Sequence, residues 1–331
     1  MTDRVYDDIT QLLPNEDNPT PLVRINRLAP SPGFELWAKL EWMNPFGSVK
    51  DRAASFLIRR LEEEGRLRPR GADGPDDPGR GIVEPTSGNT GLSLAAIAGV
   101  KGYPMRAVVP NKVPLEKKVM LKLAGSELDV INDNLCPSPG MGDGSINLAK
   151  TYAKAQANRW SMPNQYENEA NVQAHLQTTG PEIMRQTAGR VTHVFCSLGT
   201  CGTVTGLGRY FKEHKPDVRL FAVQPTAGHD VPGLRNKDEL PNATLFDESL
   251  VEDVLEIDYE LAYARAAELF RTEGLRAGPS SGLIFEGATR VARDTKDGVG
   301  VMIFCDDVFR YTHNMIKHLP ELAEGTAAPN T

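Results

Sequence analysis

The sequence is poor in the features that would tie a protein to a metal, a membrane or a nucleic acid. Its 331 residues include four cysteines and six histidines. Cys136, Cys196, Cys201 and Cys305 are scattered and form no CxxC pair, a usage that suits a reducing cytoplasm. No HExxH spacing occurs, and His313 and His318 do not share a helical face, so no zinc site is expected. No apolar run approaches the ~20 residues needed to cross a bilayer. The N-terminal MTDRVYDDITQLLP lacks a basic region followed by an apolar one, so no signal peptide is expected. The net charge is −7, with 37 basic against 44 acidic residues, which argues against a basic face for nucleic acid or lipid headgroups. A local basic pocket for a small anion remains open.

What is present suits a soluble globular chain: 40% hydrophobic and 24% charged residues. At about 150 residues per domain the length suggests two domains, large enough to bury a core without staples. Strands are expected at Phe34–Glu41, Gly81–Pro85, Met105–Pro110, Leu128–Asn132, Thr192–Ser197, Arg219–Gln224 and Val299–Cys305. Runs such as RAVVP and VMIF suit strands covered on both faces. Helices are expected at Lys50–Glu64, Thr90–Lys101, Leu115–Ala124, Ser145–Asn158, Val172–Thr187, Thr203–Lys215, Tyr259–Thr272 and Gly282–Thr295. The alternation points to an α/β fold with a mostly parallel sheet. In the Tyr259 helix, Leu261, Ala264, Ala267, Leu269 and Phe270 form the expected apolar stripe, with Asp258 as N-cap and Gly274 as stop. Residues 66–80 (RLRPRGADGPDDPGR) read as an exposed, mobile loop, residues 136–144 as a second flexible connection, and the tail from 324 as disordered.

Three turns rich in Gly, Ser and Thr follow strands or open helices, where α/β sheets bind ligands. Thr86, Ser87, Gly88, Asn89 and Thr90 offer hydroxyls, an amide and backbone N–H groups, a set that holds a carboxylate. An ordinary capped βα turn would need only one Ser and one Gly. Gly199, Thr200, Cys201, Gly202 and Thr203 have the chemistry of a phosphate cradle, without the lysine of a P-loop and without GxGxxG. On pattern alone a plain βα turn stays open there too. AGPSSG over 277–282 reads on its own as a simple N-cap. In NPFGSVKDR, Ser48 as N-cap puts Lys50 in the first helical turn, where the positive helix end disfavours an ammonium. That is the setting Schiff-base chemistry needs, although most lysines near a helix start are solvated. Phosphate cradle, carboxylate cradle and poised lysine together suggest pyridoxal 5′-phosphate acting on an amino acid.

These residues resemble the fold-type II pyridoxal-phosphate enzymes of the cysteine synthase and cystathionine β-synthase family. The likeness runs from Thr20 to Tyr311 through AKLEWMNPFGSVKDR, VEPTSGNTG, QYENEAN, TTGPEI, SLGTCGTVTG, AVQP, EGLRAGPSSG and DDVFRY. The resemblance implies a tryptophan synthase β-like fold: two parallel-sheet α/β domains with the active site between them. Residues 1–41 and 161–331 would form the large cofactor domain, and 42–160 a small mobile domain carrying the carboxylate loop. It implies Lys50 as the residue that forms the Schiff base and shuttles the Cα proton, and Asn89 on the cofactor ring oxygen. Thr86, Ser87, Gly88, Asn89, Thr90 and Gln165 would bind the substrate carboxylate. Gly199, Thr200, Cys201, Gly202 and Thr203 would wrap the phosphate. Ser280 would face the pyridine nitrogen and leave it unprotonated, favouring elimination over transamination. The implied reaction is β-replacement on an activated L-serine through an aminoacrylate. Closure of the small domain would exclude water. A homodimer, and a sulfur-carrier protein or serine acetyltransferase as partner, are implied by the resemblance alone.

The acceptor turns on VPGLRNKD over 231–238. Arg235 resembles the arginine of O-phosphoserine-using cysteine synthases, and a guanidinium can clamp a phosphate leaving group bidentately. The bland alternative is a loop arginine paired at the surface with Asp238 or Glu239. The acceptor is therefore expected to be O-phospho-L-serine or O-acetyl-L-serine. A cystathionine β-synthase, a specialised β-replacement enzyme and, remotely, an inactive regulator are the alternatives. Cys201 stands where the family usually has Gly or Thr and reads as a passive small residue, with a redox-sensitive thiol the sharper idea.

Overall fold

The computed structural model describes residues 5–132, 144–240 and 245–325. The strands are β1 (Leu22–Arg24), β2 (Phe34–Leu40), β3 (Gly81–Pro85), β4 (Met105–Pro110), β5 (Glu127–Ile131), β6 (Trp160–Ser161), β7 (His193–Ser197), β8 (Arg219–Pro225), β9 (Asp253–Ile257) and β10 (Gly298–Phe304). The helices are α1 (Lys50–Glu63), α2 (Asn89–Val100), α3 (Leu115–Leu123), α4 (Gly144–Ala155), α5 (Ala170–Ala174), α6 (Gly180–Gln186), α7 (Gly202–His214), α8 (Tyr259–Glu273), α9 (Pro279–Asp294) and α10 (Thr312–His318). Two sheets result: six strands in the order β1-β2-β10-β7-β8-β9, and four in the order β5-β4-β3-β6. Every pairing is parallel except β1 with β2.

The continuous apolar runs are explained by burial on both faces. In β10, Met302 and Phe304 join one core with Phe285 and Ile284 of α9, while Val301 and Ile303 join another with Val204 and Leu207 of α7. The smaller sheet is treated alike: Ile82 and Ala107 pack toward α1 and α2, and Val83 and Val108 toward Ile146 and Ala149 of α4. Helices α8 and α9 pack closely because Gly282 has no side chain; a Cβ there would meet the Ala262 carbonyl oxygen at 2.1 Å.

Several expectations are corrected. The α8 caps stand, with Asp258 accepting from the Glu260 N–H and Gly274 left-handed at φ 72°. Its buried face, however, is Ala262, Tyr263, Ala266, Ala267 and Leu269, while Ala264 and Phe270 are exposed. The helix expected over Val172–Thr187 is interrupted by a π-helical turn at His175–Thr179. The Gly180 N–H bonds the His175 carbonyl across that turn, Pro181 after it has no N–H to offer, and Thr178 Oγ1 donates to the Ala174 carbonyl.

Residues 66–80 are largely exposed, as expected, and carry side-chain and backbone bonds of their own. The Arg68 guanidinium bonds Asp73 and, at 2.9 Å, Asp77, whose carboxylate also caps the Gly79 and Asp73 N–H groups. Backbone bonds join Arg68 to Arg80 and Arg70 to Gly102. Most of the connection read at 136–144, and the tail beyond 325, lie outside the described residues.

Candidate active site

The carboxyl ends of β3, β7 and β10 face one cavity. Lys50, Thr86, Ser87, Gly88, Asn89, Thr90, Gln165, Gly199, Thr200, Cys201, Thr203, Arg235 and Ser280 all line it. Of the residues singled out in the sequence, Gly202 does not. It lies behind the loop, where a Cβ would meet Asn171 Oδ1 at 2.2 Å.

Lys50 is the first residue of α1. The cap position is Val49 rather than Ser48, but the Ser48 hydroxyl still accepts the Lys50 N–H at 3.2 Å. The Val49 N–H bonds the Cys305 carbonyl at 2.8 Å, which anchors the lysine to the end of β10. Gly47 (φ +83°) makes the preceding turn, with the Arg310 guanidinium against it.

After β3, the buried Thr86 hydroxyl accepts the N–H groups of Gly88 (3.2 Å) and Gly91 (3.0 Å) and so shapes the carboxylate loop. Thr90 Oγ1 donates to Gln165 Oε1 at 2.6 Å, and Gln165 Nε2 donates to the Pro85 carbonyl. Gln165 is itself placed by Glu84, whose two oxygens accept the Asn164 and Gln165 N–H groups at 3.0 Å each. Burial outweighs these bonds and pushes the Glu84 carboxyl up to about 8. Asn89 opens α2; its amide donates to Asp306 Oδ2 at 2.6 Å and its oxygen accepts from Arg310 at 3.2 Å.

After β7, the loop meets the N-terminus of the 13-residue α7, whose first N–H groups have no helical partner. Asn171 donates to Thr200 Oγ1 at 3.0 Å, and Thr203 Oγ1 lies 3.1 Å from His175 Nε2. Burial, followed by the Arg52 and Lys50 charges, pushes His175 down to about 3, so the ring is neutral near pH 7. Cys201 holds φ +67°, a left-handed conformation that glycine adopts more readily. Burial pushes its thiol up to about 11 against the pull of Arg235, so it stands beside the cradle as a neutral thiol.

Arg235 is 8% exposed. Its guanidinium lies 4.9 Å from the Tyr166 ring, and its N–H bonds the Leu198 carbonyl. The surface ion pair is overturned. Glu239 is engaged by His229 and the Asn236 N–H, and among the described residues no carboxylate pairs with Arg235. Ser280, in the first turn of α9, reaches the same cavity.

Sequence reasoning passed over Tyr166, Lys117, Asp306 and Tyr311, which also line the cavity. Asp306 lay within the DDVFRY match, but nothing local marked it. Its Oδ2 accepts from Asn89 and from the Tyr311 hydroxyl, and burial raises its carboxyl. Lys117 sits with its ammonium 4.7 Å from the Tyr311 ring. Asp306 is the one acid among the described lining residues. A cradle of hydroxyls and N–H groups free of carboxylates, with a lysine and an arginine in the same cavity, fits a phosphorylated aldehyde cofactor.

Comparison with known proteins agrees. The profile of the pyridoxal-phosphate dependent enzymes matches residues 14–306. Cysteine synthase B of Salmonella typhimurium is 40% identical over 292 residues, covering 88% of this chain and 91% of that protein. Cysteine synthase B of Escherichia coli is 40% identical over 294 residues, with the same two shares. The crystal structure of an O-ureido-L-serine synthase superposes with a TM-score of 0.84 at 28% identity, covering 95% of this chain and 96% of that one. With the matched profile spanning both sheets and the cavity between their strand ends, the chain belongs to the pyridoxal-phosphate dependent enzyme family.

Proposed function

We propose that this chain makes L-cysteine by β-replacement, with O-phospho-L-serine as its preferred acceptor. The observation that carries the acceptor is Arg235: buried, in the cavity, and unpaired with any described carboxylate. An arginine left there without an acid is costly unless an anion completes it, and a phosphate leaving group matches its fork.

Bound pyridoxal phosphate supplies the electron sink that makes the substrate Cα–H acidic. Gly199, Thr200, Cys201 and Thr203 would hold its phosphate, with Gly202 backing the loop against Asn171, Asn89 and Ser280 would orient its ring, and Lys50 would hold it covalently. The Thr86–Thr90 loop and Gln165 bind the substrate carboxylate. The Lys50 amine, freed when the substrate's own amine takes its place, would take the Cα proton, and Arg235 would take the charge that develops on the departing phosphate. Residues 42–160 close on residues 1–41 and 161–331 when the carboxylate binds, which keeps water from the reacting Cβ. A homodimer in a reducing cytoplasm belongs to the same reading; Cys196, Cys201 and Cys305 are free thiols.

A second reading is favoured by the likeness to an O-ureido-L-serine synthase: the nucleophile is not sulfide but a larger molecule. Rapid mixing separates the readings. The holoenzyme is mixed with O-phospho-L-serine, O-acetyl-L-serine or L-serine and the visible cofactor band followed. The fastest shift should come with phosphoserine, and Arg235→Ala should remove that preference, slowing it about 10–100-fold for ~1.5–3 kcal/mol of charged hydrogen bonding. Equal or faster reaction with acetylserine would reject the phosphate clamp. Turnover of each acceptor with sulfide against larger nucleophiles decides the second reading.

A further inference from the structure

The residues after Lys50 point to three different bodies. Lys50 faces the cavity. Asp51, fully buried, turns toward α2 and the preceding loop: Ser93 Oγ donates to its Oδ1 at 2.6 Å and the Phe46 N–H to its Oδ2 at 2.7 Å. Ser93 is one helical turn from Asn89, whose carbonyl its hydroxyl also reaches. Arg52, 1% exposed, turns to the larger sheet. Its guanidinium bonds Glu41 through Nε (2.7 Å) and Nη2 (2.9 Å), and Glu182 through Nη1 (2.7 Å) and Nη2 (2.8 Å). Thr20 (2.9 Å) and Thr178 (3.0 Å) complete its partners.

Lys39 balances the charge, bonding Glu182 at 2.7 Å. Burial works to raise the Glu41 carboxyl, but the Arg52 charge overcomes it and holds the group at about 2. Asn44 ties the loop before Lys50 into the same cluster, donating to Glu41 at 2.8 Å and to the Ser48 carbonyl at 2.9 Å.

An apolar cluster of the same volume would stabilise the fold at least as well as these three buried ion pairs. What the paired forks add is direction: two bidentate contacts fix the first turn of α1 in rotation and translation together. We propose that Asp51 and Arg52 are positioning residues for Lys50. Arg52 sets the lysine against the body that carries the phosphate cradle, and Asp51 sets it against the helix that follows the carboxylate loop. The inference rests on the assignment of Lys50 to the cofactor.

The test is borohydride reduction of the purified holoenzyme, with peptide mapping of the label and total cofactor measured after denaturation. The parent should carry nearly all of its cofactor trapped on Lys50; a parent without label there would defeat the Lys50 assignment itself. Arg52→Lys keeps the charge but loses the fork. It should retain cofactor in the phosphate cradle, trap a smaller fraction of it, and recapture added cofactor covalently about 10²-fold more slowly, as for a ~1 Å misplacement. Asp51→Asn should shift both readings the same way, and decides the matter if Arg52→Lys does not fold. Leu61→Ala, buried farther along α1, is the control: it should lower the melting temperature with no change in trapped fraction. If Arg52→Lys and Asp51→Asn lose thermal stability but trap cofactor as completely and as fast as the parent, their role is structural only and the proposal falls.

Discussion

Glu84 offers a test of how burial sets the chemistry of the carboxylate loop. Its carboxyl ordinarily titrates at 4.5 and is pushed up to about 8 in the fold. A carboxyl with a raised folded value binds its proton more tightly folded than unfolded. Its contribution to stability is therefore complete below about pH 4.5 and is lost as the pH rises through about 8. Between pH 6 and pH 9 the loss from this one group is about 3 kcal/mol at 1.36 kcal/mol per pH unit. At about 2.1 cal/mol/K per residue, a chain of this length should lose roughly 4 °C of melting temperature over that range. Glu84→Gln cannot ionise. It also turns an amide toward one of the two backbone N–H groups that Glu84 now accepts, costing about 1–3 kcal/mol at every pH. The variant should melt below the parent at pH 6, and the gap should narrow steadily toward pH 9. Asp51, pushed up to about 7 by burial, titrates in the same window but cancels in the difference between the two proteins. A gap that stays constant from pH 6 to pH 9 would mean that Glu84 does not titrate in that range and is a permanently charged acceptor.

Gly202→Ala should drive a methyl into Asn171 and displace the cradle, lowering cofactor retention on dialysis by at least tenfold while circular dichroism stays unchanged. Asp77→Ala removes one of the two partners of Arg68 and the acceptor of two backbone N–H groups. Limited proteolysis should then cut within residues 66–80 at least several times faster, with turnover unaffected. His175→Phe should remove the ring nitrogen beside Thr203. A rise of severalfold in the cofactor dissociation constant, with the melting temperature nearly kept, is expected from binding measured by fluorescence.

Much of the architecture was legible because burial on both sheet faces writes unbroken apolar runs: β3 and β4 lie where the runs GIVEP and MRAVVP place them. The strands that escaped are those without such runs. β1 has three residues, β6 has two, and β9 is a half-exposed edge. The apolar stripe of α8 was misplaced because Ala and Leu recur on more than one face of that helix. The π-turn at His175 depends on Pro181 and on packing that no local pattern encodes. At the site, glycines, hydroxyls and the lysine were visible as motifs, since their chemistry needs adjacent residues. Asp306, Tyr166 and Lys117 were not, since each acquires its place from a residue far along the chain: Asn89, Arg235 and Tyr311. In the exposed 66–80 loop, the Gly and Pro content hid a contact between Arg68 and Asp77.

The position of β10 has a consequence for synthesis. This strand inserts between β2 and β7, and the carbonyl just beyond it receives the Val49 N–H beside Lys50. A nascent chain therefore carries its lysine without this one anchor until the end of β10 has been made. The cofactor pocket closes only when residues near 306 have emerged, so capture of the cofactor is expected to wait for them. Until then β2 and β7 present open strand edges. A product ending before residue 298 would be an aggregation hazard rather than a partly active enzyme.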